Sequence, residues 1–175
     1  MKRVLILFLL PLVMLFSPHS ALANDINKDN FREECRIGSI GVLDSFNMEQ
    51  LNNLFGSMTK PAKVSAIGIN HGLRRTGMTF ANAHVVAVND ELGVISVTAP
   101  IAVNGEALGT PRGIVVGHDL DTVFRLYGTP VRVEGGTANN PDYFYRYGTF
   151  EYGILFKVDA DTNKVTAITV YVPTC

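Results

Sequence analysis

The chain has 175 residues, 47% of them hydrophobic, with 15 Lys and Arg against 16 Asp and Glu for a net charge of −1. That apolar content excludes a disordered chain, and the near-neutral balance excludes the basic footprint of a nucleic-acid-binding protein. At the N-terminus Met1-Lys2-Arg3 is a short cationic stretch. Val4 to Phe16 is apolar, broken only by Pro11, and Ala21-Leu22-Ala23 is a small-x-small cleavage site. This is the pattern of a secretory signal peptide over residues 1–23. Its apolar run of about 13 residues is too short to cross ~30 Å of hydrocarbon as a stable helix. Loss of Lys2 and Arg3 takes the net charge from −1 to −3. The mature chain is expected to be exported, periplasmic or secreted, with no membrane span after cleavage.

The two cysteines, Cys35 and Cys175, lie near opposite ends of the mature chain. An even count in an exported protein predicts an intrachain disulfide between them. The alternatives are a free thiol, an intermolecular bridge or a catalytic cysteine, and nothing beside either residue supplies the base that a nucleophile needs.

An internal repeat organises the rest. At an offset of 72, Met48, Leu51, Leu54, Phe55 and Gly56 meet Leu120, Val123, Leu126, Tyr127 and Gly128; at 73, Ile95, Val97 and Pro100 meet Ile168, Val170 and Pro173. Each copy opens on a two-turn helix with one apolar stripe. The first is capped by Asn47 with Gln50 at the third position, the second by Asp119, and Gly56 and Gly128 stop them. Strands are predicted at Met78 to Val88 and Leu92 to Thr98 in the first copy. In the second they fall at Tyr143 to Phe150, Gly153 to Val158 and Val165 to Val172. Asp159 to Asn163 reads as a hairpin turn, and Asn104-Gly105 as a tight turn between the copies. Gly68, Gly72 and Gly77 around Arg74-Arg75 read as a loop with a positive tip. Strands that follow helices without alternation predict an antiparallel α+β fold. Two tandem pseudo-symmetric units are expected, 24–103 with an N-terminal extension and 104–175, each with helix packed on sheet.

Two groups of residues carry a resemblance. One is Thr110-Pro111-Arg112-Gly113-Ile114-Val115-Val116-Gly117 with Leu126-Tyr127-Gly128-Thr129-Pro130. The other is Tyr145-Arg146-Tyr147-Gly148 with Ile154-Leu155-Phe156, Lys164-Val165 and Ile168. This pattern resembles the small exported modules of the SmpA/OmlA outer-membrane assembly lipoproteins. The tandem form is similar to the β-lactamase-inhibitor-protein fold. The resemblance implies a fold more than a function, because its positions are glycines and apolar residues. The chain lacks the lipidated Cys of the first family and the within-unit bridges of the second, and no functional residue of either carries over.

No catalytic residue, metal ligand or cofactor site is assigned. Asp159-x-Asp161-x-Asn163 opens like a calcium loop, but Lys164 stands where Gly belongs and Val170 where the bidentate Glu belongs. His71, His84 and His118 show no ligand spacing. Tyr143, Tyr145 and Tyr147 lie two apart on one strand face, expected to wall the core, while Phe144 and Arg146 share the other face. Tyrosine and arginine are enriched at binding hot spots, and a one-residue slip in register would exchange the faces, so all five are candidate partner-binding residues. The expected function is an exported, non-enzymatic protein-binding module, an inhibitor or an envelope-assembly accessory. Its partner would be a protein of the cell envelope or outside the cell. The alternative is a small envelope hydrolase using carboxylates that no motif singles out.

Overall fold

The computed structural model describes residues 26–67 and 73–172; the expected leader, its expected cleavage site and Cys175 lie outside them. In chain order the elements are α1 (Phe31–Glu34), β1 (Arg36–Ile37), β2 (Ile40–Gly41), α2 (Met48–Phe55), β3 (Met58–Ile67), β4 (Leu73–Phe80), β5 (Ala83–Val88) and β6 (Glu91–Val97). There follow β7 (Ala102–Val103), β8 (Glu106–Ala107), α3 (Leu120–Tyr127), β9 (Arg132–Thr137), β10 (Asn140–Gly148), β11 (Gly153–Val158) and β12 (Val165–Tyr171). The fold is α+β, dominated by one antiparallel sheet of eight strands in the order β3-β4-β5-β6-β12-β11-β10-β9. Among the described residues no helix is long and apolar enough to cross a membrane.

A helix followed by four strands occurs twice, and the sheet order is a palindrome about the β6–β12 pair. Across that seam Val97 faces Ile168 and Ile95 faces Val170. The residues matched by the 73-residue offset are thus crossed partners. Ser96 and Thr169, 73 apart, face one another, with Oγ and Oγ1 2.9 Å apart. A local two-fold axis through this pair relates the two helix-and-four-strand runs, each of which gives its last strand to the seam.

Both long helices begin and end as their sequences dictate, with one difference. Asn47 Oδ1 accepts the Gln50 amide at 3.1 Å. Asp119 makes no such side-chain bond; its carboxylate pairs with Lys164 at 3.1 Å. Gly56 and Gly128 stop the helices at φ 79° and 71°, a conformation that side chains disfavour. The helices are too short to persist alone and bury Leu51 and Phe55, or Val123 and Tyr127, against one face of the sheet. On that face Met78, Val85, Ile95, Val170, Ile154 and Tyr147 form a single row across six strands, every member fully buried. Each such side chain contributes roughly 1.5–3 kcal/mol by leaving water.

The stretch Met78 to Val88, predicted as one strand, is two, broken at Ala81–Asn82. The Arg74-Arg75 segment, predicted as a loop, belongs to β4, where Gly77 also lies; Gly68 and Gly72 fall outside the described residues. The turn at Asp159 is built as its sequence implies. The Asp159 carboxylate accepts from the Thr162 amide at 2.8 Å and its hydroxyl at 2.7 Å, which holds its pKa below the usual value.

Candidate functional site

The helices cover only one face of the sheet. On the other, outward residues of the central strands such as Leu155, Lys157, Thr169 and Tyr171 are only half-buried, although Val86 on β5 is buried, and neither long helix lies over that face. The tyrosine stripe belongs to the helix face and grades from core to rim. Tyr147 is fully buried between Tyr127 and Phe156, and its hydroxyl donates to the Gly128 carbonyl at 3.0 Å. Tyr145 is half-buried and meets the Phe124 ring edge-on at 5.6 Å. Tyr143, at 36%, stands at the exposed margin. Burial pushes the Tyr127 and Tyr147 hydroxyls well above the usual phenol range.

Phe144 and Arg146 point the other way, onto the open face, both half-buried. The charges around Phe144 are all engaged in ion pairs. Lys157, opposite it on β11, pairs with Asp142 at 2.7 Å. Glu134, its neighbour on β9, meets Arg146 at 3.4 Å and Arg132 at 2.7 Å. The acids of this patch, Glu134 and Asp142, are therefore each held by a cation. Nearby, the Tyr171 hydroxyl donates to the Thr149 carbonyl at 2.6 Å. The five residues singled out from the sequence do not form one site: the sheet divides them between its two faces.

The opposite end of the open face carries a feature the sequence did not disclose. On β4 the outward positions are Arg75, Gly77 and Thr79, so the middle one has no side chain. Lys63 on β3 and Val86 on β5 flank Gly77, while Lys60 and His84 flank Thr79. The result is a cleft of about 750 Å³ with Gly77 and Val86 at its floor. No acidic residue lines it. Among the described residues Lys60, Lys63 and Arg75 form no ion pair, whereas around Phe144 every charged residue named above is paired. His84 is exposed, with Nδ1 3.4 Å from Thr79 Oγ1. These cations come from two strands and meet only through strand register; the one sequence signal was a glycine at an outward position among basic residues.

Cys35 is a buried thiol among the described residues, raised to about 12 by desolvation and then by the neighbouring Glu34 charge. Such a thiol is a poor nucleophile. Glu34 itself grips Arg112 in a two-pronged pair, at 2.9 Å to Nε and 2.8 Å to Nη2. Arg112 also donates to the Leu126 carbonyl and lies 4.8 Å from the centre of the Tyr127 ring. No group of three or more His, Cys, Asp and Glu suited to a metal ion occurs among the described residues.

No protein-family model matches the sequence, and neither does any curated protein. Among solved structures, two are distantly similar to this chain. One is a DUF4309 family protein from Bacillus subtilis, with 11% identity and a TM-score of 0.45, covering 83% of this chain and 91% of that one. The other is a cysteine-rich secretory protein from Staphylococcus aureus, with 10% identity and a TM-score of 0.46, covering 80% of this chain and 47% of that one.

Proposed function

We propose that the chain is an exported, non-enzymatic binding module that engages a protein of the cell envelope or the extracellular space through its open sheet face. One observation carries the reading: a sheet of eight strands has both long helices on one side and presents Phe144, Arg146 and the cationic cleft on the other. An outward Phe beside an Arg gains by burial against a partner, and a broad sheet supplies contact area without reactive groups. The leader over residues 1–23 supports export. The tandem reading, with units 24–103 and 104–175 of SmpA/OmlA-like and β-lactamase-inhibitor-like kind, draws support from the helix-and-four-strand run occurring twice on either side of the Asn104-Gly105 turn. Inhibitor and assembly accessory are the two roles such a module would fill.

The test uses the mature protein as bait in envelope extract, beside Phe144→Ala and Arg146→Ala forms. A partner retained by the wild type and released on truncation of Phe144, with binding weakened by about 1–2 kcal/mol or more, is the expected result. Equal retention by all three forms would remove Phe144 and Arg146 from the contact surface.

A further inference from the structure

The geometry points to the cleft over Gly77 as the seat for an extended acidic segment of the partner, one carrying carboxylates at alternating positions. The inference rests on the protein-binding reading above and names the chemistry of what is bound. On β4 the positions Arg75, Gly77 and Thr79 mark three successive rungs of one face, two residues apart. Arg75 stands on the first. Lys63, paired with Gly77, stands on the second, and Lys60, paired with Thr79, on the third, with His84 beyond it. Rungs two residues apart are separated by about 7 Å, since a strand rises ~3.3–3.4 Å per residue. An extended peptide repeats its side chains on one side at that same interval. Three cations spaced this way, with no acid lining the cleft, match three alternate carboxylates. Glu91, which continues the Arg75 rung two strands away through Val88, forms no ion pair with it among the described residues. Mutual repulsion among the cations is relieved when an anion arrives.

The floor fits the same occupant. With no side chain at Gly77, a peptide backbone can lie low between Lys63 and Val86, and the volume falls within the range of ordinary ligand sites. On the outer side β3 is an edge strand whose Pro61 lacks an amide hydrogen, and lysines flank it at 60 and 63. Proline and lysine discourage strand addition, which leaves the face as the route of approach.

The experiment titrates the mature protein with a short labelled peptide in which glutamates alternate with threonines, and with its isomer in which the same glutamates are contiguous. The alternating peptide is expected to bind about tenfold tighter, and to weaken as salt is raised. Lys60→Gln, Lys63→Gln and Arg75→Gln should each reduce binding. Gly77→Val keeps every charge and fills the floor, and Gly77→Ala adds only a Cβ that meets nothing nearer than 3.9 Å; with urea unfolding unchanged from wild type, binding is expected to fall for Ala and be lost for Val. Equal affinity for the two isomers, or binding indifferent to Gly77→Val, would overturn the inference as mere charge attraction. So would binding of inorganic phosphate or anionic vesicles with none of the peptide. If peptide binding fails while the envelope partner is still captured through Phe144, the cleft assignment falls and the wider reading stands. If the alternating peptide binds while no partner is captured through Phe144, the Phe144 contact surface falls and the cleft assignment stands.

Discussion

Tyr147 and Tyr143 are two turns of the same pleat, yet their surroundings give them opposite weights. Removing the Tyr147 hydroxyl leaves the buried Gly128 carbonyl without its donor, and Tyr147→Phe is expected to cost about 1–2 kcal/mol in urea unfolding. Tyr143→Phe, at the exposed margin, should change stability by less than about 0.5 kcal/mol. The alternation that separates Tyr147 from Arg146 was legible in the sequence, because the side-chain period of a strand is two. The gradient along the stripe was not, since it depends on how far α3 extends over β10. Cys35 allows a test by pH. In reductant its folded pKa, about 12, lies above the ordinary thiol value of 9.0. The folded state therefore favours the protonated thiol; this contribution is complete below pH 9 and is lost as the pH rises towards 12. Tyr127 and Tyr147 add to the same alkaline loss. Reduced wild type should accordingly lose stability more steeply over that interval than Cys35→Ala, the tyrosines being common to both. Parallel curves would show that the thiol ionises equally in both states.

At the scale of the element, the two long helices were readable because cap, stripe and stop agreed. Their caps nevertheless differ, and the difference is measurable. Asn47→Ala removes a bond to the Gln50 amide and is expected to cost about 1 kcal/mol. Asp119→Ala removes only an exposed pair with Lys164 and some charge at the helix start, and should cost roughly half as much or less. Equal losses in chemical denaturation would show that the Asn47 bond contributes little. In the large sheet the strands that escaped prediction entirely are the two at its edges, together with the first five residues of β4. β3 contains Pro61 amid lysines, and β9 contains Gly135 and Gly136, both at positive φ. Those residues are poor strand formers, and an edge tolerates them because half its backbone groups face solvent. The break inside Met78–Val88 was invisible for the converse reason: Ala81–Asn82 carries no strong turn signal.

For the whole molecule, the repeat gave the antiparallel α+β class and the equivalence of the helices, but not that all eight strands join one sheet. That outcome depends on β6 and β12 pairing with each other, and the cationic cleft depends likewise on register among strands. The N-terminal segment is tied to the second copy by the Glu34–Arg112 pair, with side chains only 18% and 15% exposed. Glu34→Ala breaks this largely buried pair and is expected to cost about 3 kcal/mol. The proposed Cys35–Cys175 bridge would reinforce the same tie, because the last described residue, Val172, bonds to Gly93 while Leu43, eight positions beyond Cys35, bonds to Leu92. Titration of protein unfolded without reductant should find no free thiol; two per chain would end the proposal. The two-fold seam has a consequence for covalent continuity. Cutting the chain at Asn104-Gly105 would leave two polypeptides, each ending its half-sheet on an unsatisfied strand whose hydrogen-bonding complement is the other's. Such halves, produced together, should co-purify as a heterodimer, held by the strand pair and by Glu34–Arg112. Produced alone, each exposes a bare edge that its own duplicate can match, so the two halves joined in one chain have the architecture of a dimer whose assembly no longer depends on concentration.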